Sequence, residues 1–192
     1  AMRGVDQVYH LAAMISVPES MLKPRECVDL NVTGTLHVLE AAEAARVRKV
    51  VLASSAAVYG DNPTVPKVET MLPEPKSPYA VTKLDGEYYL DLFRRDRGLA
   101  TTSLRFFNVF GPRQDPKSPY AAAVPIFIEK AVKGEPIGIF GDGEQTRDFI
   151  YVKDIIGALT FAANNPDMGG VYNVGYGRKM TVKSLAEEVI RL

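Results

Sequence analysis

The sequence predicts an α/β fold built on a parallel sheet with helices on both faces, and three observations predict it. Apolar runs of strand length alternate with long helical patterns over residues 7–107, the arrangement produced by parallel strands joined through crossover helices. The run Val50-Val51-Leu52-Ala53 is apolar at every position, as a strand covered on both faces requires. The chain has 192 residues, 46% of them hydrophobic, enough for one large domain or a domain with part of another.

The elements follow in order. A strand is expected over 7–12, followed by a loop carrying Ser16, Pro18 and Ser20. A helix is expected over 24–46, because Leu30, Gly34, Val38, Ala41 and Ala45 recur on one face. The small residues Gly34 and Ala41 let that helix lie close to a sheet. The next strand spans 49–54, and a proline-rich loop covers 60–78. A second long helix spans 79–97, with Gly98 as its C-terminal cap. The third strand, 101–107, is rich in β-branched and aromatic residues. Beyond Gly111 prolines shorten the elements: a strand is expected over 137–140, and helices over 152–164 and 182–192. This second half reads as a smaller lobe over the strand ends, where open α/β sheets bind ligands.

Composition excludes several functions. Basic and acidic residues balance at 23 each, so no basic excess points to nucleic acid. The single cysteine, Cys27, cannot form an internal disulfide and fits a reducing compartment such as the cytoplasm. Its neighbours form no metal-ligand or nucleophile set. No apolar run approaches the roughly 20 residues of a membrane-spanning helix, and no signal peptide is expected.

Chemistry concentrates at two places. Tyr79 and Lys83 lie four apart, which sets both side chains on one helix face about a turn apart. An ammonium beside a phenol favours the phenolate, and such a tyrosine can serve as a general base. The same spacing also occurs by chance on surface helices. Ser54 and Ser55 stand at the end of the buried strand, where a hydroxyl can bond a substrate oxygen; a serine there can equally cap the turn.

The order of motifs resembles the extended short-chain dehydrogenase/reductases that act on sugar nucleotides, most of all the UDP-glucose 4-epimerases. The resemblance rests on His10-Leu11-Ala12-Ala13, Asn31-Val32-Thr33-Gly34-Thr35, Ser54-Ser55-Ala56-Ala57-Val58-Tyr59-Gly60 and Ser77-Pro78-Tyr79-Ala80-Val81-Thr82-Lys83. It continues through the run that begins Leu104-Arg105-Phe106-Phe107-Asn108 and the run that begins Gly141-Asp142-Gly143-Glu144-Gln145-Thr146-Arg147.

The resemblance implies a Rossmann-like fold, with residues 1–110 as the C-terminal part of an NAD-binding domain. Residues 111–192 would be part of a nucleotide-sugar-binding lobe interleaved with Rossmann elements. It implies NAD as cofactor and Ser55, Tyr79 and Lys83 as catalytic residues. Leu11, Ala12, Ala13, Asn31, Ala53 and Phe107 would lie along the cofactor, with Tyr79 and Lys83. Ser55, Asn108, Val124, Phe140 and Arg147 would meet the sugar nucleotide, and an arginine fork suits diphosphate oxygens. Read alone, Asn31 is a residue bonding local backbone, Phe107 and Phe140 are core residues, Arg147 with Asp148 is a surface ion pair, and His10 is a core-edge histidine.

Within that family, dehydratases carry an Asp-Glu pair before the Val-Tyr-Gly run and decarboxylases a Glu. Here Ala56 and Ala57 occupy those places, and a methyl group moves no proton. This leaves 4-epimerisation by transient oxidation at C4 as the implied reaction, with another nucleotide-sugar epimerase, dehydratase or reductase of the family, or a catalytically incomplete NAD-fold piece, as alternatives. The family's opening Gly-x-x-Gly-x-x-Gly turn is not found. Gly138, Gly141 and Gly143 have a similar spacing but lie outside any strand-to-helix turn. Both chain ends read as cuts through a larger fold, so little NAD binding or turnover is expected of these 192 residues alone. The resemblance also implies a homodimer, with the helices expected over 24–46 and 79–97 forming its bundle.

Overall fold

The computed structural model of the chain describes residues 2–117 and 122–192. Along the chain lie β1 (Gln7–His10), α1 (Val17–Leu22), α2 (Pro24–Val28), a π-helical turn (Asp29–Thr33) and α3 (Gly34–Ala44). Next come β2 (Lys49–Ser55), a 3₁₀ turn (Ala56–Tyr59), α4 (Pro78–Arg97), β3 (Thr101–Phe106), β4 (Asn108–Phe110) and α5 (Ala123–Lys133). The described chain closes with β5 (Thr146–Arg147), β6 (Phe149–Tyr151), α6 (Val152–Asn164), β7 (Gly170–Val174), β8 (Met180–Thr181) and α7 (Val182–Arg191). They group into two compact units, residues 1–106 with 156–174, and residues 107–155 with 175–192.

In the first unit a four-stranded parallel sheet runs β1-β2-β3-β7. β2 is buried along nearly its whole length. Val50 and Leu52 pack on Leu39 and Ala42 of α3 and on Leu90 and Phe93 of α4. Each large apolar side chain removed from water there contributes about 1.5–3 kcal/mol. Residues of the other strand parity face the opposite side. From that side Gln7 donates to Ala163 O at the end of α6, and the buried Lys49 ammonium bonds Pro166 O. Helices therefore cover both faces, as the sequence predicts.

α4 shows why the local sequence folds as it does. Ser77 caps it by accepting from Ala80 N at 3.2 Å, and Pro78 opens its first turn. Gly98 ends it at φ +70°, and Arg94, Arg95 and Arg97 in the last turn oppose the negative end of the helix dipole. Gly86 lets it approach the sheet, since a Cβ there would come 2.9 Å from Leu52 Cδ2.

The structure departs from the expected elements in definite ways. The helix expected over 24–46 is α2, the π turn and α3 in succession. Ser16 caps α1 by accepting from Glu19 N, so part of the expected loop is helical. Residues 137–140 form no strand: Ile137 and Ile139 pack into the second unit's cluster of Val124, Phe127, Leu185 and Ala186, and no ladder forms beside them. α5 and β7 had no expected counterpart.

Gly60 follows the 3₁₀ turn at φ +55° and ψ −135°. A Cβ there would stand 2.0 Å from Glu74 O, a backbone atom that cannot yield alone. Gly60→Ala is expected to destabilise the fold by about 3 kcal/mol or more, read by urea unfolding; a change below about 1 kcal/mol would contradict this packing.

Candidate active site

Parallel pairing brings the C-terminal ends of β1, β2 and β3 to one sheet edge. Val8 lies opposite Val50, His10 opposite Leu52, and Ser55 opposite Phe106. The residues that leave this edge from the first two strands are Leu11, Ala12 and Ala13 after β1, and Ala53, Ser54 and Ser55 ending β2. α4 passes behind β2, and its first turns supply the remaining groups.

Lys83 is buried, and its Nζ donates to Ala53 O at 2.7 Å. That is its one hydrogen bond among the described residues, for a group with three donors. Burial pushes this ammonium down to about 8. Its Nζ lies 5.7 Å from the centre of the Tyr79 ring. Burial raises the Tyr79 phenol above its ordinary value, while the Ser55 hydroxyl beside it works in the opposite direction. The sequence reading had Lys83 lowering this phenol; here the ammonium is turned to Ala53 O and desolvation dominates. Ser55 sits in extended backbone at φ −148°, and its Oγ accepts from Ala57 N at 3.1 Å, capping the 3₁₀ turn. The same hydroxyl bonds the Tyr79 side chain.

Asn31 fixes the surroundings of this trio. Its Oδ1 accepts from Met14 N at 2.7 Å, and its Nδ2 donates to Met14 O at 3.1 Å and to Thr82 Oγ1 at 2.9 Å. Thr82 in turn donates to Tyr79 O. One buried amide thus ties the loop after β1 to the first turns of α4. The π turn that holds Asn31 is a widened helical turn of the kind found at functional sites. Ser20 adds a second tie by accepting from Tyr79 N at 3.2 Å. His10 is held by Thr35 Oγ1 at 2.9 Å, and burial, then the Lys83 charge, lowers its pKa. Asn31→Ala leaves both Met14 backbone groups unpaired in a buried place and should cost roughly 2–5 kcal/mol. Chemical denaturation checks this, and wild-type stability in the variant would contradict it.

The second unit holds Phe107, Asn108, Val124, Phe140 and Arg147. Asn108 N donates to Asp148 O at 3.0 Å. The Asp148 carboxylate accepts from Tyr176 N and Gly177 N, both at 2.8 Å, so it forms no ion pair with Arg147. Among the described residues the exposed Arg147 guanidinium donates only to Thr146 O. Phe107 lies against Gly175, where an added Cβ would come 3.2 Å from the ring. Phe140 is 93% exposed and takes no part in a core. Val124 is buried beside Phe127 and borders a cavity of about 430 Å³, lined also by Phe110, Gln114, Ile128 and Tyr151.

Ser55, Tyr79, Lys83, Ala53 and Asn31 are therefore assembled at one place, with Leu11, Ala12 and Ala13 at the same sheet edge. Sequence reasoning missed two residues under them, Glu87 and Arg105, which are buried and bonded to each other, with Glu87 also bonded to Ser54. Two signals pointed there. Glu87 follows Lys83 by four residues on the same helix face, and Arg105 is a charged residue inside a buried strand, which demands a partner.

The family model described as NAD dependent epimerase/dehydratase family matches residues 1–175. A curated relative from Mycolicibacterium smegmatis, named UDP-glucose 4-epimerase, is 42% identical over 179 residues, 93% of this chain and 57% of the relative. A solved UDP-N-acetylglucosamine 4-epimerase of Methanobrevibacter ruminantium, in complex with UDP-N-acetylmuramic acid, is 46% identical. It superposes with a TM-score of 0.94 over 97% of this chain and 60% of its own. A Thermus thermophilus UDP-glucose 4-epimerase in complex with NAD is 38% identical, with a TM-score of 0.88 over 97% of this chain and 61% of its own. The chain thus spans less than two thirds of the length of these relatives.

Proposed function

The chain belongs to the NAD dependent epimerase/dehydratase family, and from that premise we propose that its protein is an NAD-dependent 4-epimerase of a nucleotide sugar, of the UDP-glucose/UDP-galactose type. The observation that carries this reading is the buried Lys83 ammonium, bonded once among the described residues, beside Tyr79 and the strand-end Ser55. A buried ammonium with spare donors fits the paired hydroxyls of a nicotinamide ribose. When bound, NAD supplies the hydride acceptor and donor for transient oxidation at C4.

The chain's own residues do the rest. The Tyr79 oxygen takes the proton of the sugar 4-hydroxyl and returns it to the epimer. The Ser55 hydroxyl bonds the same sugar oxygen and donates to it as charge develops. Lys83, fixed by Ala53 O, offers its remaining donors to the ribose. Leu11, Ala12, Ala13, Asn31 and Phe107 would line the cofactor. Asn108 and Arg147 would hold the diphosphate, and Val124 and Phe140 the base and ribose. Assigning 1–110 to the cofactor domain and 111–192 to the sugar-nucleotide lobe belongs to the same reading. Ala56 and Ala57 argue against elimination or decarboxylation, because a methyl side chain at these two positions moves no proton.

A homodimer is part of the proposal. Val81, Tyr88 and Leu92 are exposed along one face of α4, and Val28 and Leu30 are exposed in the preceding helical segment. No helix among the described residues is long and apolar enough to cross a membrane. With Cys27 buried and unpaired, a cytoplasmic protein is the reading these features support.

The test is turnover by the full-length protein of UDP-galactose and UDP-N-acetylgalactosamine. Interconversion with the gluco epimer, without lasting NADH, is expected. A 4-keto-6-deoxy or decarboxylated product, or none, would overturn the reading.

A further inference from the structure

Beneath Ser55 lies a buried charged cluster that the proposed proton transfers do not use. Ser54, Glu87 and Arg105 are each at most 4% exposed, and Tyr59 is 1% exposed. Glu87 Oε1 accepts from Ser54 Oγ at 2.5 Å and from Arg105 Nε at 2.9 Å, and Oε2 accepts from Arg105 Nη2 at 2.7 Å. Arg105 Nη1 donates to Tyr59 OH at 2.9 Å, and the guanidinium lies 4.8 Å from the centre of that ring. Tyr59 OH donates to Asn173 Oδ1 at 2.7 Å. Asn173 Nδ2 bonds Lys67 O, and Asn173 N bonds the Glu69 carboxylate, so the proline-rich loop is held as well.

A buried ion pair is a poor way to gain stability, because desolvating both charges offsets most of their attraction. An apolar pair of like volume would serve the core as well. What the pair does provide is direction: a two-point fork fixes both position and angle. Its attachments bracket one residue. Glu87 holds Ser54, immediately before Ser55. Arg105 holds Tyr59, at the end of the turn that Ser55 caps. Glu87 also lies one turn beyond Lys83 and two beyond Tyr79 on α4.

We propose that Glu87 and Arg105 are positioning residues that lock the register of α4 on β2, so that the Ser55 hydroxyl and the Tyr79 phenol meet one sugar oxygen. This rests on the proposed function only for the identity of that oxygen. Placement of a reacting group is sensitive at this scale: a shift of about 1 Å can cost roughly 100-fold in rate.

The decisive variant is Glu87→Met combined with Arg105→Met in the full-length protein. It removes both charges together, so no unpaired charge is left to unfold the domain. Unfolding should be at least as resistant to urea as in the parent. At the same time kcat should fall about 10- to 100-fold while KM for the nucleotide sugar changes less than about 3-fold. Ser54→Ala leaves the ion pair whole and should show the same kcat-selective loss at about 3- to 10-fold, which keeps the proposal testable if the double variant does not fold. A folded double variant with parental kcat would overturn it. So would equal losses in kcat and stability in Ser54→Ala. A readout independent of turnover is the near-ultraviolet titration of Tyr79, taken as the difference from a Tyr79→Phe background. Its midpoint should rise in both variants as the Ser55 contact is lost. If the parent shows no epimerisation, the titration alone decides, and an unmoved midpoint overturns the proposal.

Discussion

Tyr79→Phe is expected to lower kcat by about 10²- to 10⁴-fold, with KM for the nucleotide sugar within a few-fold of the parent. The substitution deletes one oxygen and keeps the ring. The ties that place residue 79 are made by its backbone, to Ser20 Oγ and Thr82 Oγ1, and survive the change. Stability should therefore move little. The phenol is raised by burial in the free protein, so the proton acceptor is formed against a desolvation cost, and the Ser55 hydroxyl offsets part of it. Steady-state kinetics on the full-length protein measure this. A variant that retained more than about a tenth of parental kcat would remove Tyr79 from the chemistry.

Lys83→Met should do two opposite things: abolish at least 99% of the activity, roughly, and make the protein more stable. Lys83 titrates at about 8 in the fold against 10.5 for an ordinary lysine. Between those values the unfolded chain binds more protons than the folded one, so stability rises with pH there. Below about pH 8 the charged ammonium carries its full burial cost, about 3 kcal/mol as an order of magnitude. Met keeps the length of the chain and discards the charge, at the loss of the bond to Ala53 O. The net gain at pH 7 should be about 1–3 kcal/mol, shrinking as pH rises from 8 toward 10.5 because the parent recovers. Urea unfolding at pH 7 and pH 10 reads both. A variant less stable than the parent at pH 7 would show that Lys83 is not strained by burial. The pairing of lost activity with gained stability marks a residue kept for chemistry rather than for packing.

These expectations rest on features of very different legibility in the sequence. α4 was readable almost to the residue, because its signals are local: Ser77 and Pro78 open it, Gly98 closes it, and the four-residue step from Tyr79 to Lys83 is fixed by helix geometry. β2 was equally plain, since an unbroken apolar run has few other homes. Asn31 was identified only through a resemblance, as its partners Met14 and Thr82 lie 17 and 51 residues away. The π turn that aims it has no local signature. The direction of the Tyr79 shift escapes the sequence for a related reason. Spacing says that an ammonium is near, but only three-dimensional burial says how strongly water is excluded from both groups. Residues 137–140 show the converse failure, in which a strand-like apolar pattern finds side-chain packing and no neighbouring strand. The Glu87–Arg105 pair joins a helix to a strand across the core, and no short-range pattern pairs them.

The most direct measurement follows UDP-galactose deuterated at C4 through the full-length protein and its Tyr79→Phe variant by NMR. The account predicts that the parent yields UDP-glucose with deuterium still on C4, and that the variant yields almost none in the same time. Exchange of that deuterium with solvent, or equal conversion by the variant, would contradict it.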